Sequence, residues 1–199
     1  MKRMGIAAIY RRSNTSKPSP GHKIYPSLLR GVKVDRPDQV WATDITDIPM
    51  ARGFVSLVAI VDWFSYRVLS HRVSIRMEAD FCVEAPEETL EKYGRPDIFN
   101  TDQGSQFTND IFMGVLIRND VAIGMDGEGA WRDNVFVERL WKSVKYEEVY
   151  LRAYDTVFEA RASLGRHLVF YNELRPHSGL DWRTSDEAYF GSSPLAVGA

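Results

Sequence analysis

Cysteine is almost absent from this chain of 199 residues: Cys82 stands alone, which excludes an internal disulfide framework. Histidine is sparse too, at 22, 71, 167 and 177, so the paired His and Cys spacing of a zinc site is missing. Cys82 lies between Phe81 and Val83 in a helical pattern and is expected to be a packed thiol. Long apolar runs are also lacking. Phe54 to Phe64 comes nearest, but Ser56 and Asp62 interrupt it well short of the roughly eighteen residues of a membrane span. The apolar run in Met1 to Tyr10 is stopped by Arg11 and Arg12 before it reaches the length of a secretory signal. These absences predict a cytoplasmic protein with no membrane partner.

Net charge is small, at −2, but unevenly placed. Residues 1 to 36 carry nine Lys or Arg against Asp35, a balance of +8, which leaves −10 for the rest. A basic arm on an acidic body suits an arm that meets phosphate and a body that needs cations, although a solvated tail has the same composition. Residues 13 to 21, Ser-Asn-Thr-Ser-Lys-Pro-Ser-Pro-Gly, read as a linker.

From Val40 the pattern is that of strands. Val40 to Ile48 alternates loosely, Phe54 to Val61 is nearly continuously apolar like a strand covered on both faces, and Arg67 to Ser74 alternates again. The short links between them predict antiparallel hairpins. Residues 75 to 93 read as a helix, with a kink or break expected near 82 to 86, because Pro86 removes a backbone hydrogen bond at a cost of about 3 kcal/mol. A short strand then delivers Asp102 to its C-terminal end, where ligands gather in open α/β sheets. Gly104 is expected at positive φ close to a phosphate. Thr108 is expected to cap a helix ending near Asn119, before a last short strand from Val121 to Met125 and the Gly-rich loop Asp126-Gly-Glu-Gly129. Two helices come next, from about Trp131 to Tyr150 and from about Thr156 to Glu173 with Asp155 as cap. The first carries an apolar stripe of Val137, Leu140, Trp141 and Val144, and beside it a polar stripe of Asn134, Glu138, Lys142 and Lys145.

Three carboxylates stand where a metal ligand would be useful: Asp44 in Trp41-Ala-Thr-Asp-Ile-Thr46, Asp102 in Asn100-Thr-Asp-Gln-Gly-Ser105, and Glu138 in Asp133-Asn-Val-Phe-Val-Glu-Arg139. On its strand, Asp44 shares a face with Ala42 and Thr46, whereas Asp47 is expected on the other face at the surface. Fifty-seven residues separate Asp44 from Asp102, and thirty-five separate Asp102 from Glu138. In-line phosphoryl transfer can use two Mg ions about 3.5–4 Å apart, held by two or three such carboxylates with the substrate phosphate. Spacing alone leaves open that these are ordinary solvated acids.

The wording around the three carboxylates resembles the DDE transposases and retroviral integrases, and most closely the second-reading-frame product of the insertion-sequence-three family of bacterial transposases. The resemblance implies a ribonuclease-H-like α/β fold: a five-stranded mixed sheet, three antiparallel strands and then two parallel ones, flanked by helices. It implies Asp44, Asp102 and Glu138 as catalytic metal ligands for two Mg ions, with Mn as a substitute. It also implies metal-dependent DNA cleavage and strand transfer, water and then a freed 3′-hydroxyl attacking DNA phosphates. Asn134, Lys142, Lys145, Gln103 and Ser105 are its candidate DNA contacts, although Lys142 and Lys145 also stand at ordinary helical pairing distances from Glu138. Residues 126 to 129 resemble the mobile catalytic loop of integrases.

The implied partners are DNA, the upstream-frame product or full-length transposase, and further copies of the chain. The implied location is the bacterial cytoplasm, at the nucleoid. The zinc-binding N-terminal module of retroviral integrases is absent, and residues 1 to 30 resemble the last part of a helical DNA-binding region. The expected division is 1–36 as basic arm and linker, 37–175 as catalytic core and 176–199 as C-terminal tail. Tyr171-Asn-Glu-Leu-Arg-Pro-His-Ser178 resembles the family's terminal signature, with Arg175 and His177 either lining the DNA channel or packing. Asn100, Gly124 and Ser185 depart from the family's usual His, Ser and Pro. Two alternatives stay open on the residues alone: a related nuclease that cuts without joining, and a silent DNA-binding or oligomerising fragment that regulates transposition.

Overall fold

A computed structural model describes residues 25–75, 79–125 and 135–191. Three strands come first: β1 (Val40–Pro49), β2 (Phe54–Asp62) and β3 (Val68–Ser74). Helix α1 (Ala79–Tyr93), β4 (Ile98–Thr101), α2 (Asp110–Arg118) and β5 (Ala122–Met125) come after them, then α3 (Val135–Ser143), α4 (Val157–Glu173) and α5 (Ser185–Phe190). The five strands form one sheet in the order β3-β2-β1-β4-β5. β1 with β2 and β2 with β3 are antiparallel, whereas β1 with β4 and β4 with β5 are parallel. This is the mixed sheet, three strands plus two, that the sequence predicts.

Side-chain alternation along the sheet builds two cores. Leu57, Ala59 and Val61 of β2 pack with Val137, Leu140 and Trp141 of α3 and Leu164 and Leu168 of α4. On the opposite face Val58 and Ile60 pack with Trp41, Phe99, Cys82 of α1 and Phe112 and Leu116 of α2. Buried on both sides, β2 needs the continuous apolar run seen in its sequence. Cys82 is buried there, and desolvation pushes its thiol up to about 12, so it packs rather than reacts.

Several local expectations change. Helix α1 runs unbroken through Pro86, because buried Ala85, Pro86 and Thr89 hold it against the sheet and α2. Asn109, not Thr108, caps α2 by accepting from the Phe112 amide at 2.8 Å, while Thr108 donates to the Gly104 carbonyl. Thr156, not Asp155, caps α4. The helix expected to reach Tyr150 is α-helical only to Ser143; Val144–Glu148 is a π turn and Val149–Leu151 a 3₁₀ turn. The wider turn shifts the helical phase of the residues after it. Glu148 ends up buried, accepting from the Tyr154 hydroxyl at 3.0 Å and from Ser163 and paired with Arg152 at 2.9 Å.

The described segments at both ends are packed. In the arm, Leu29 is buried and Arg36 pairs with Asp97. After Arg175 the chain folds back: α5 is fixed by a Thr184–Glu187 capping box and by Arg67, which binds Asp186 at 2.7 Å and the Tyr93 hydroxyl at 2.7 Å. The Arg67 guanidinium also lies over Tyr93, Tyr189 and Phe190. Residues 1–24, with most of the basic arm and the linker, and 192–199 lie outside the described residues, as do Trp131 to Asn134 and the Gly-rich loop 126–129.

The outer edge of β3 is closed by side chains of α4. The Val68 amide donates to Asn172 Oδ1 at 2.9 Å, and Asn172 Nδ2 donates to the Val68 carbonyl at 2.8 Å. Asn172→Ala leaves both strand groups unpaired and is expected to cost about 2–3 kcal/mol in urea unfolding; a loss below about 0.5 kcal/mol would show that water replaces the amide. Burial lowers the pKa of His71, His167 and His177 below the ordinary 6.5. The unfolded chain therefore takes up protons first, and the stability these groups contribute above pH 6.5 is lost as pH falls toward their folded values. The unfolding midpoint should drop between about pH 7 and 5, with a shallower drop in His167→Gln and His177→Gln; parallel pH curves for wild type and both variants would contradict this.

Candidate active site

Strand register brings the first two carboxylates together. Parallel pairing sets Val40 beside Ile98, Trp41 beside Phe99 and Ala42 beside Asn100. Asp44 lies two residues further along β1 and Asp102 directly follows the end of β4, so the register brings both to the same end of this strand pair. Both line one cavity of about 190 Å³, together with Ile45, Asp47, Gln106 and Phe107. Asp47, expected on the other face, reaches the edge of this cavity, with Ser56 Oγ donating to its carboxylate at 3.0 Å.

Each carboxylate has its own support. Asp44 Oδ1 accepts from the Ile45 amide at 2.8 Å and Oδ2 from Trp141 Nε1 at 2.9 Å. Asp102 Oδ1 accepts from the Gly104 amide at 2.9 Å. Burial pushes the Asp102 carboxyl above the ordinary carboxylate range, partly offset by the Gly104 hydrogen bond. The reason for glycine at 104 differs from the expected one. Its φ is not positive, but a Cβ there would stand 2.8 Å from Asp102 Oδ1 and 3.1 Å from Gln106 Oε1. Close approach to the carboxylate, rather than backbone conformation, excludes a side chain.

Glu138 is exposed on α3, three residues before Trp141. At 100° per residue, Trp141 projects 60° to one side of Glu138, toward Asp44, and Lys142 projects 40° to the other. The helix is thus tied to Asp44 through its indole, and Glu138 is not part of the lining of the shared cavity. Among the described residues no three acidic side chains lie close enough to hold one metal ion. Trp141 was legible only as an apolar stripe residue. A buried indole needs a partner for its N–H, and that requirement is the signal pointing from α3 toward a strand carboxylate.

The DNA-contact candidates fall apart into groups. Gln103 and Ser105 are exposed on the loop after β4, and Lys145 is half-buried in the π turn. Asn134 lies outside the described residues. Lys142 faces a second cavity, of about 430 Å³, between α3 and the segment after α4. Arg175 lines that cavity too but is paired with Glu147 at 2.7 Å. His177 is buried, its Nε2 near the Tyr171 carbonyl at 3.3 Å and Ser185 Oγ at 3.2 Å.

The sheet order, its mixed strand directions and helices on both faces define a ribonuclease-H-like domain. Two family models, both described as Integrase core domain, match residues 34–129 and 119–184, and between them cover most of the chain. The chain belongs to the integrase core family, and its core is of the kind found in insertion-sequence-three-type transposases. It is 29% identical over 163 residues to the transposase for insertion sequence element IS904 of Lactococcus lactis, covering 80% of this chain and 64% of that protein. It is 28% identical over 184 residues to the transposase InsF for insertion sequence IS3A of Escherichia coli, covering 89% and 64%. The chain therefore spans just under two thirds of these curated relatives. In fold it is similar to the HTLV-2 integrase catalytic core domain in complex with magnesium, with TM-score 0.57, 18% identity, and coverage of 77% of this chain and 97% of that one. A simian T-cell lymphotropic virus intasome chain gives TM-score 0.65 at 20% identity, over 90% of this chain and 63% of that one.

A double-mutant cycle checks the tie between α3 and β1. Trp141→Phe keeps the ring and removes the donor, and should cost about 1 kcal/mol in urea unfolding. Combined with Asp44→Asn, the two effects should couple by about 0.5 kcal/mol or more. Strict additivity would show that the indole is held by packing alone.

Proposed function

We propose that the chain is the catalytic core of a DNA transposase, cleaving and joining DNA strands by metal-dependent phosphoryl transfer. The observation that carries this reading is the β1–β4 register, which sets Asp44 and Asp102 in one cavity while Trp141 ties the helix of Glu138 to Asp44. A water oxygen attacks phosphorus at the transposon end and the bond to the 3′-oxygen breaks. The freed 3′-hydroxyl then attacks a target phosphate, again displacing a 3′-oxygen. No side chain of the protein forms a bond to the substrate.

A divalent metal fits the residues present. The donors are carboxylate oxygens, the set that magnesium prefers, and burial disfavours the ionised form of Asp102, which a cation would favour. Asp44 and Asp102 would hold the metal, with Glu138 joining from α3. Two magnesium ions, or manganese in their place, would stabilise the attacking and leaving oxygens. The chain's own part is to fix Asp44 through Ile45 and Trp141, to fix Asp102 through Gly104, and to keep residue 104 free of a side chain. Lys142, Lys145, Gln103, Ser105 and Asn134 are the proposed contacts to DNA. Transposon ends and target DNA are the proposed substrates. Further copies of the chain on that DNA, and the product of the upstream reading frame, are the proposed partners, in the bacterial cytoplasm at the nucleoid.

Asp44→Asn, Asp102→Asn and Glu138→Gln are each expected to lower magnesium-dependent cleavage and joining by at least about 100-fold, with the fold retained. Asp120→Asn, on the surface beside Arg95, is the control and should leave activity intact. Asp62 is unsuitable as a control, because it is buried and accepts from the Asp38 and Ser65 amides. Near-normal cleavage by any of the three variants refutes the assignment; cleavage without joining by the wild-type chain would make it a nuclease.

A further inference from the structure

The 430 Å³ cavity beside α3 is not used by the chemistry above. Its walls come from three stretches distant in sequence: Tyr66 after β2, Phe136 to Glu147 along α3 and the π turn, and Tyr171 to Gly179. The Tyr66 and Phe136 rings stack on each other, with centroids 5.1 Å apart and Trp63 against Phe136, and Tyr146 adds an exposed aromatic ring at the same cavity. Three cations, Arg139, Lys142 and Arg175, stand in the lining against one carboxylate, Glu147. Glu147 is already taken by Arg175, whereas Arg139 and Lys142 make no ion pair among the described residues. The acidic body thus has a local excess of positive charge beside flat aromatic surface.

We propose that this cavity takes one unpaired nucleotide of the DNA strand lying at the active site, its base against the aromatic wall and its phosphate on Arg139 and Lys142. Its size suits a nucleotide, since small-molecule pockets run from about 300 to 1,000 Å³. Aromatic rings accept any base by stacking, and cations beside them track the backbone, which is how single strands are bound without sequence preference. A base paired within a duplex presents no free face to such a wall, so the occupant is an unpaired end or an extruded residue. Lys142, one turn beyond Glu138 on the same helix, lines the cavity, so one helix serves both places. His177 adds no charge at neutral pH, because burial lowers its pKa, and it serves as wall.

This proposal rests on the reading that the chain acts on DNA, and its test separates the two. Fluorescence anisotropy in EDTA compares a blunt duplex, the same duplex with three unpaired nucleotides at its 3′ or 5′ end, and the same extension lacking its bases. The extension should tighten binding about tenfold, and the abasic extension should not. Ser178→Trp, which places an indole in the cavity from an exposed position, should abolish the gain, as should Arg139→Gln with Lys142→Gln. Circular dichroism and unfolding midpoints close to wild type qualify each variant. Equal binding of the natural and abasic extensions overturns the proposal, as does a gain that survives Ser178→Trp. Strand joining with magnesium is scored in parallel on the wild-type chain. Joining without the gain removes the cavity's role alone, whereas the gain without joining upholds the cavity and counts against the proposed chemistry.

Discussion

Two carboxylates, Asp44 on β1 and Asp102 just past the end of β4, line one cavity, and the fold must hold both of them there. Register does this first, since the offset that pairs Ala42 with Asn100 brings β4 to its end beside Asp44. Hydrogen bonds then fix the oxygens: Ile45 and Trp141 donate to Asp44, and Gly104 donates to Asp102. Burial that disfavours the ionised Asp102 is offset only in part by its one amide. Under the proposed function, a cation in the cavity would offset that desolvation.

The departures from the family's wording become intelligible in the sheet and in the C-terminal fold. Asn100 and Gly124 are direct partners in the β4–β5 pairing, and a Cβ at 124 would stand 3.0 Å from Asn100 Oδ1. The side chain at 100 thus reaches into the space that glycine leaves at 124. Ser185 occupies the first position of α5, a place where proline is also favoured. Here its hydroxyl meets His177 Nε2 at 3.2 Å, and the helix start is secured instead by the Thr184–Glu187 box.

Legibility in the sequence tracked the range of the interactions involved. Alternation along β1 and the continuous apolar run of β2 reflect local periodicity, so these strands and the shared face of Asp44 and Ala42 could be read directly, whereas the five-stranded order came from the family resemblance. The cap of α2 was misplaced by one residue, because Thr108 and Asn109 are both good caps and only the loop geometry sends the Thr108 hydroxyl to Gly104. The π turn at Val144 depends on Glu148 reaching Tyr154 and Ser163, contacts that no helical pattern encodes. Helix α5 carried a signal, Thr184-Ser-Asp-Glu187, that is a capping box, but six residues make too short a periodic stretch to stand out. The larger cavity was invisible for a plainer reason: its walls meet only in three dimensions.

At both margins of the sheet, some backbone groups are met from within the chain. On β3, Asn172 occupies both polar groups of Val68, and Arg161 Nη2 donates to the Val73 carbonyl at 2.8 Å. On β5, the Met125 amide donates to the Pro26 carbonyl at 3.3 Å. An open strand is a template for any other strand, and each edge group occupied from within the chain is one fewer that a foreign strand can pair with.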